Sequence, residues 1–304
     1  MHIAVAATPA VALPTLDWLK GSAHDLNLVI TRPERPAGRG QILRESPVCS
    51  WANSHNIRSV KPFQPDDLVE QLKNIDLVIT IGYGVILPLR ILRLPRYGFI
   101  NLHFSLLPAW RGAAPVQRAI LHGDPIMGLT VFSLDAGMDT GPIYIKRVIP
   151  TEPRENAGEC LKRMALIGPE IIRDCIALIE KGSNPVSQAE TGVSYAPKIT
   201  REETRIDWTR EVMRVDRHIR AFTPDPGAWT TWRKAPLRIV SARPFPDEIL
   251  LSEGELAIEG GNVIVGCGAG GALILEDVTP SGKRRISAKS WINGARPIPG
   301  ESFV

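Results

Sequence analysis

The sequence predicts an α/β protein in which a larger domain with buried parallel strands is followed by a smaller β-barrel domain. Two apolar runs, His2–Ala7 and Leu26–Thr31, enclose a segment with leucines at helical spacing, which is the pattern of a βαβ unit. The run Asp76–Gly82 is almost continuously apolar, as expected for a parallel strand that is covered on both faces. Farther along, short apolar runs alternate with Gly, Pro, Asp and Glu, and this spacing is typical of a small barrel.

The remaining elements place a domain boundary after a long helix. Further strands are predicted at Gly98–His103, Gly128–Leu134 and Pro142–Ile149, and helices at Ala113–Leu121, Asn156–Lys181 and Asp207–Phe222. Residues 183–205 combine Gly, Ser, Asn and Pro with charged side chains, which is typical of a linker. We therefore expect a first domain at residues 1–182 and a second domain at residues 206–304.

Composition narrows the class of protein without identifying it. Of the 304 residues 44% are hydrophobic and 22% charged, and the net charge is only +4, so a nucleic-acid partner can be argued only from local clusters. The four cysteines form no CxxC pair, which favours reduced buried thiols over disulfides or a zinc site. The N-terminus lacks the cationic start of a signal peptide and no apolar run is long enough for a bilayer, so we expect a cytoplasmic protein.

A candidate site lies where predicted strands end. Asn101 and His103 stand two residues apart on one strand, so both side chains leave the same face, and Asp139 follows in a turn flanked by glycines. An amide and an imidazole can stabilise the negative charge that develops on a formyl oxygen when an amine attacks it, and a carboxylate can hold or carry the proton. Taken singly, His103 could be a core histidine and Asp139 a turn residue; together they predict a proton-handling site that needs no metal.

The first βα turn argues against a dinucleotide enzyme. It reads Ala7-Thr8-Pro9 and has none of the glycines that let a backbone approach a pyrophosphate, so a dehydrogenase is disfavoured.

The segments Asn101–Gly112 and Asp135–Gly141 resemble the formyltransferase family that uses 10-formyltetrahydrofolate. Further similar stretches, at Arg35–Gly40, Tyr83–Pro88 and Thr279–Lys283, extend the resemblance over nearly the whole chain. The resemblance implies a Rossmann-like parallel-sheet formyltransferase domain followed by a smaller OB-like β-barrel domain. It implies a catalytic trio at Asn101, His103 and Asp139, and selects Asp139 over Asp135, which is expected to be structural. Folate contacts are expected at Ser105, Leu106, Leu107, Pro108, Tyr83 and Ile86.

Within that family the chain is similar to the members that act on initiator methionyl-tRNA. The loop Arg32–Arg44 would then meet the tRNA acceptor end, with Arg35 and above all Arg39 as contacts. In the second domain two basic clusters are candidate phosphate contacts or else solvated surface. They are Arg210, Arg214 and Arg217 at helical spacing, and Lys283, Arg284, Arg285 and Lys289 near one turn. We expect a monomer.

Two positions depart from the family pattern. Phe104 stands where a small residue is usual and Ala7 where Gly is common. The Phe104 side chain is expected to face away from the site, since it alternates with His103. The alternatives left open are a formyltransferase of the same core that acts on an amino-sugar nucleotide or glycinamide ribotide, and a catalytically silent RNA-binding protein.

Overall fold

The computed structural model describes residues 1–37, 42–298 and 300–304. The chain divides into two compact units. The first unit comprises residues 1–115, 126–150 and 161–197, and the second comprises 116–125, 151–160 and 198–304. The domain bounds expected from the sequence stay a prediction.

The first unit is built on a seven-stranded sheet in the order β10-β9-β7-β6-β1-β2-β5. Its strands and those of two small two-stranded sheets are β1 His2–Ala7, β2 Asp25–Ile30, β3 Arg35–Ala37, β4 Ile42–Arg44, β5 Ser59–Val60, β6 Leu77–Ile81, β7 Phe99–His103, β8 Arg111–Gly112, β9 Ile126–Ser133, β10 Ile143–Pro150 and β11 Tyr195–Ala196. Strands β5, β2, β1, β6 and β7 run parallel, and all five residues of β6 are buried. The predicted parallel α/β sheet is therefore confirmed.

Two strands of this sheet run the other way. Strand β9 is antiparallel to β7, with Ser133 opposite Ile100 and Thr130 opposite His103, and β10 is antiparallel to β9. The end of β9 consequently lies beside the beginning of β7, not beside its carboxyl end.

Seven helices accompany the sheets in the described part of the chain. They are α1 Leu13–Lys20, α2 Pro47–Ser54, α3 Leu89–Leu92, α4 Pro115–His122, α5 Ala157–Glu180, α6 Val212–Phe222 and α7 Ala288–Ala295. Short 3-10 helices occur at Ala10–Ala12, Pro65–Leu68 and Glu202–Thr204.

The second unit contains an antiparallel six-stranded half-barrel sheet, in agreement with the smaller barrel-like β domain that was expected. Its strands are β12 Trp229–Trp232, β13 Ala235–Pro244, β14 Leu256–Glu259, β15 Asn262–Gly266, β16 Ala272–Pro280 and β17 Ile286–Ser287. Helix α6 and the sheet enclose a core with several aromatic side chains, in which Trp291 contacts Phe303 and Phe303 stacks on Trp208. The short strands predicted for this region are confirmed, and so is a helix before them, which begins at Val212.

Candidate active site

One cavity of about 440 Å³ in the first unit collects the predicted catalytic side chains. Its lining includes Asn101, His103 and Asp139, together with Tyr83 and Ile86 from the loop that follows β6. Much of the remaining lining is apolar, from Val85, Leu87, Leu92 and Met138. A largely apolar cleft with a few converging polar groups is the common form of a small-molecule site.

His103 is held at a defined orientation by the backbone. Its Nε2 lies 2.9 Å from the carbonyl oxygen of Trp110, and its side chain is almost fully buried. A carbonyl oxygen can only accept a hydrogen bond, so in this arrangement Nε2 carries the proton and donates it. The neutral ring therefore has its lone pair on Nδ1, which lies 3.8 Å from Asp139 Oδ2.

The surroundings of His103 favour its neutral form. Burial lowers the pKa of His103 below its ordinary value, and this effect outweighs the Asp139 carboxylate and the Trp110 carbonyl, both of which raise it. An imidazole that is neutral near pH 7 can accept a proton in the reaction.

Asp139 is fixed from two sides. Its Oδ2 accepts a hydrogen bond from the Gly112 backbone N–H at 2.7 Å, and its carbonyl oxygen accepts one from Gln188 Nε2 at 2.8 Å. The same Gln188 amide donates to the Gly141 carbonyl, and its oxygen accepts from Arg111. Gly112 has a φ of +126°, and a Cβ there would stand 2.6 Å from the Ala196 carbonyl oxygen, so no other residue fits without movement.

Both residues that face His103 have an unusual backbone. Trp110 and Asp139 have φ values of +61° and +54°, in the left-handed region that costs energy for residues other than glycine. Such conformations persist where the surrounding contacts enforce them, and they are concentrated at functional sites.

The loop containing Asp139 reaches His103 by turning back. Because β9 is antiparallel to β7, this loop does not leave the sheet at the edge that the sequence analysis assumed. Asp135 stabilises the turn: its carboxylate accepts hydrogen bonds from the Gly137 N–H and the Thr140 hydroxyl. These contacts accord with the structural role expected for Asp135.

The segment expected to contact folate lies behind the cavity wall. The described lining includes Phe104 but none of Ser105, Leu106, Leu107 and Pro108. Ser105 and Leu107 are buried, and Thr130 Oγ1 bridges the two by donating to the Ser105 carbonyl and accepting from the Leu107 N–H. These hydrogen bonds hold the segment beside β9 next to the strand end that contains His103, and its folate contacts stay a prediction.

The two departures from the family pattern are both buried. Phe104, expected to face away from the site, contributes to the cavity lining, since β7 ends at His103 and strand alternation stops there. Ala7 is fully buried on β1, opposite Ile81.

The presumed linker supplies site residues that sequence reasoning missed. Gln188 holds the Asp139 loop, Ser194 Oγ accepts a hydrogen bond from the Trp110 N–H, and β11 pairs with β8 beside Gly112. Single polar residues in a Gly- and Pro-rich stretch give no sequence signal for such roles.

The basic loop of the first unit is described only in part. Strands β3 and β4 pair as a hairpin with Arg35 opposite Arg44, whereas Arg39 lies outside the described residues. Lys61 closes the hairpin base, since its Nζ forms ion pairs with Glu34 before β3 and Glu45 after β4.

In the second unit Arg205, Arg210 and Arg214 line a cleft of about 250 Å³, here called the arginine cleft. Glu203, Asp207 and His218 also line it. The sequence analysis placed Arg210 on a helix, and this is wrong because α6 begins at Val212. The Asp207 carboxylate accepts from the Thr209 N–H and pairs with Arg210 at 2.9 Å, which fixes a turn before the helix.

The other predicted phosphate contacts lie in the same unit. Arg217 covers Gly123, where an added Cβ would stand 2.5 Å from the guanidinium carbon. Lys283 and Arg284 are exposed between β16 and β17, while the neighbouring Arg285 pairs with Asp277.

Two searches of the described residues were negative. They contain no group of three or more His, Cys, Asp and Glu side chains placed to hold a metal ion. No described helix is both long and apolar enough to cross a bilayer.

Sequence comparison identifies relatives over the whole chain. Residues 1–176 match the formyl transferase family, and residues 198–296 match the formyl transferase C-terminal domain. The chain is 44% identical to the methionyl-tRNA formyltransferase of Thermobifida fusca, over 100% of this chain and 99% of the relative. It is also 44% identical to the methionyl-tRNA formyltransferase of Streptomyces coelicolor, over 99% of each.

Solved structures share the fold at lower identity. HypX from Aquifex aeolicus in complex with tetrahydrofolic acid has a TM-score of 0.69 at 18% identity, covering 96% of this chain and 47% of that one. WlaRD, a sugar 3N-formyl transferase, has a TM-score of 0.70 at 18% identity, covering 93% and 99%. Methionyl-tRNA formyltransferase from Clostridium thermocellum has a TM-score of 0.57 at 18% identity, covering 91% and 99%.

Proposed function

The chain belongs to the formyltransferase family, with methionyl-tRNA formyltransferases as its full-length relatives, and on this premise we propose that it formylates initiator methionyl-tRNA. The donor is 10-formyltetrahydrofolate and the acceptor is the α-amino group of the esterified methionine. The observation that carries the proposal is the buried neutral His103, anchored through Nε2 and presenting Nδ1 toward Asp139 in the cavity.

The proposed reaction forms one C–N bond and breaks another. The amine nitrogen attacks the formyl carbon, the carbonyl electrons move to oxygen, and a tetrahedral intermediate results. When the intermediate collapses, the bond between the formyl carbon and N10 breaks and N10 gains a proton, which releases tetrahydrofolate. A free α-amino group has a pKa of about 7.7–8.0, so a useful fraction is neutral near pH 7.

His103 is proposed to carry the proton between the two nitrogens. Its unprotonated Nδ1 accepts the proton of the attacking amine, and the resulting imidazolium is stabilised by the Asp139 carboxylate at 3.8 Å. The protonated ring can then help stabilise the oxyanion and return the proton to N10. Asn101, on the same strand and in the same cavity, is proposed to donate its amide hydrogen to the oxyanion.

The folate is proposed to lie against the apolar part of the cavity. Tyr83, Ile86, Leu87 and Met138 offer flat and aliphatic surface for a fused ring, and Met138 and Ile86 are more than half exposed, with room for a ligand to cover them. Contacts from Ser105–Pro108 stay a prediction, and the support described above makes an indirect contribution the better hypothesis.

Binding of tRNA is proposed for the hairpin β3–β4 and for the basic groups of the second unit. The proposed phosphate contacts are Arg35 on β3, Arg210 and Arg214 in the arginine cleft, and exposed Lys283 and Arg284, together with Arg39, which lies outside the described residues. A cytoplasmic location is supported by the cysteines, since all four lie among the described residues as buried thiols outside any disulfide. The monomeric state stays a prediction.

The test is a formyl-transfer assay with 10-formyltetrahydrofolate and three acceptors. We expect transfer to methionyl-tRNA and little transfer to an amino-sugar nucleotide or glycinamide ribotide. Transfer to one of the latter alone would assign the chain to the other branch of the family, and no transfer at all would leave the RNA-binding alternative.

A further inference from the structure

A second cavity of about 280 Å³ adjoins the reaction cavity in the first unit. Tyr83, Val85 and Leu87 line both cavities, so one loop separates them. The far side of the second cavity is formed by Arg32 and by the segment Pro62–Pro65. The catalytic scheme above uses none of these far-side residues.

The Phe63 side chain is exposed to solvent, while its backbone is held in place by neighbouring residues. Its side chain is 91% exposed, which is unusual for an aromatic residue. Prolines stand at both 62 and 65, and the Asp67 carboxylate accepts hydrogen bonds from the N–H groups of Phe63 and Gln64. These contacts fix the backbone of Phe63. Its ring is therefore positioned at the edge of the cavity, where a ligand can pack against it.

Glu34 also lines the cavity, but its carboxylate is paired with Lys61, so the cationic group left for an anion beside a ring is Arg32. The Arg32 guanidinium approaches the loop wall, 3.6 Å from where a Cβ of Gly84 would stand. Burial raises the pKa of Tyr83 to about 12, so its hydroxyl stays protonated. An aromatic face next to an arginine is the arrangement with which proteins hold a nucleobase and its phosphate.

We propose that this second cavity holds the terminal adenosine of the acceptor tRNA, with the base against Phe63 and the 5′-phosphate at Arg32. The proposal rests on the proposed function. Folate fits less well as the source of the ring, because its aminobenzoyl ring is bonded to N10 and must share the reaction cavity with the formyl group. The adenine is separated from the reacting amine by the ribose and the ester, and so can reach an adjoining cavity.

The experiment compares three small acceptors: 3′-O-methionyladenosine, its 5′-phosphate, and methionine methyl ester. We expect the protein to prefer the adenosine ester over the methyl ester in kcat/KM by about 5- to 150-fold, the range of base–aromatic stacking. Phe63→Ala should reduce this preference to about one, whereas Phe63→Trp should retain it. Arg32→Gln should abolish any preference for the 5′-phosphorylated ester over the unphosphorylated one.

Leu166→Ala is the matched control, because Leu166 is 71% exposed in the same unit and lines neither cavity. It should keep the wild-type preferences. An unaltered preference for the adenosine ester in Phe63→Ala would overturn the proposal. An effect of Phe63→Ala confined to the KM of the folate donor would also overturn it, because Phe63 would then contact folate and not adenine. The proposed function fails separately, if the unmodified protein does not formylate methionyl-tRNA.

Discussion

In the reaction cavity of the first unit His103 and Asp139 are buried and hydrogen-bonded to the backbone, whereas in the arginine cleft of the second unit the paired Arg210 and Asp207 are exposed. His103 and Asp139 expose only 6% and 14% of their side chains. The paired Arg210 and Asp207 expose 60% and 50%. The first arrangement fixes two buried groups in one orientation, and the second leaves charged side chains accessible from water.

This difference in burial suits two different functions, proton transfer in the reaction cavity and binding of a polyanion in the arginine cleft. A proton transfer needs groups of fixed orientation and tuned pKa, and both follow from burial and backbone hydrogen bonds. Contact with a polyanion needs accessible positive charge, and its strength depends on salt. Changes in the reaction cavity should therefore alter kcat, while changes in the arginine cleft should alter affinity for tRNA.

The largest effect is expected for His103→Ala. Loss of the proton acceptor should lower kcat by about 10²–10⁴-fold, the usual contribution of general acid–base catalysis, while the dissociation constants of folate and tRNA change little. Steady-state kinetics and binding titrations check this. His24→Ala, at a partly buried histidine beside Glu180 that does not line the cavity, is the control and should turn over normally. If His103→Ala lost affinity for folate or tRNA but kept its kcat, the assignment of catalysis to the reaction cavity and of binding to the arginine cleft would be wrong.

A change of pH should act on the reaction cavity with a defined sign. Because burial lowers the pKa of His103, the acid limb that belongs to His103 should lie below pH 6.5, separate from the limb set by the acceptor amine near its own pKa of about 7.7–8.0. The unfolded chain binds the proton at higher pH than the native one, so His103 also removes stability as pH falls from 6.5 through the native pKa.

Asp139→Asn tests whether the acid limb of the pH profile belongs to His103. The Asp139 charge raises the pKa of His103, so its removal should shift the acid limb of kcat to still lower pH while lowering the maximal rate. If the limb that responds to Asp139→Asn lay at or above pH 6.5, or moved upward in the variant, the neutral-imidazole account would be contradicted.

A smaller effect is expected for Gln188→Ala. This removes the two hydrogen bonds that hold the carbonyls of Asp139 and Gly141, and should lower kcat roughly tenfold, about 1–1.5 kcal/mol for a lost neutral hydrogen bond. Gln188→Glu should be no better than the alanine variant, because a carboxylate cannot donate to those carbonyls even though Arg111 could still pair with it. Recovery of rate in Gln188→Glu would show that Gln188 acts through Arg111 instead.

The smallest effect is expected for Arg214→Ala in the arginine cleft. The variant should weaken tRNA binding a few-fold without altering kcat, and should reduce the slope of log K against log salt by about one. Filter binding at several salt concentrations measures this. Arg243→Ala, paired with Glu276 outside the cleft, should leave the slope alone. Equal slopes for all three proteins would remove the arginine cleft from tRNA binding.

The sequence was most informative where local patterns decide the structure. The buried run before Gly82 and the alternation of Asn101 and His103 predicted the parallel core and a polar pair in one cavity, because strand periodicity alone determines which side chains share a face. The short strands of the second unit were predicted for a similar reason, since short apolar runs alternate with turn residues after helix α6.

The features that the sequence did not predict depend on contacts between residues far apart in the chain or on side-chain hydrogen bonds. Strand direction has no local signature, so β9 was not recognised as antiparallel and the return of the Asp139 loop was missed. Gln188 acts over 49 residues, and the start of α6 depends on the Asp207 side chain, which competes with the helix for backbone hydrogen bonds. Such choices are made by tertiary structure and local hydrogen bonds, not by hydrophobic spacing.

The central claim is that His103 is neutral near pH 7, with its proton on Nε2 and Nδ1 available as the base. Long-range ¹H–¹⁵N spectra of the ¹⁵N-labelled protein measure this directly, and His103→Asn assigns the signals among the six histidines. We predict the Nε2–H tautomer at pH 7 and a pKa below 6.5 in the titration. A charged imidazolium at pH 7, or a proton on Nδ1 with Nε2 bare, would contradict the account.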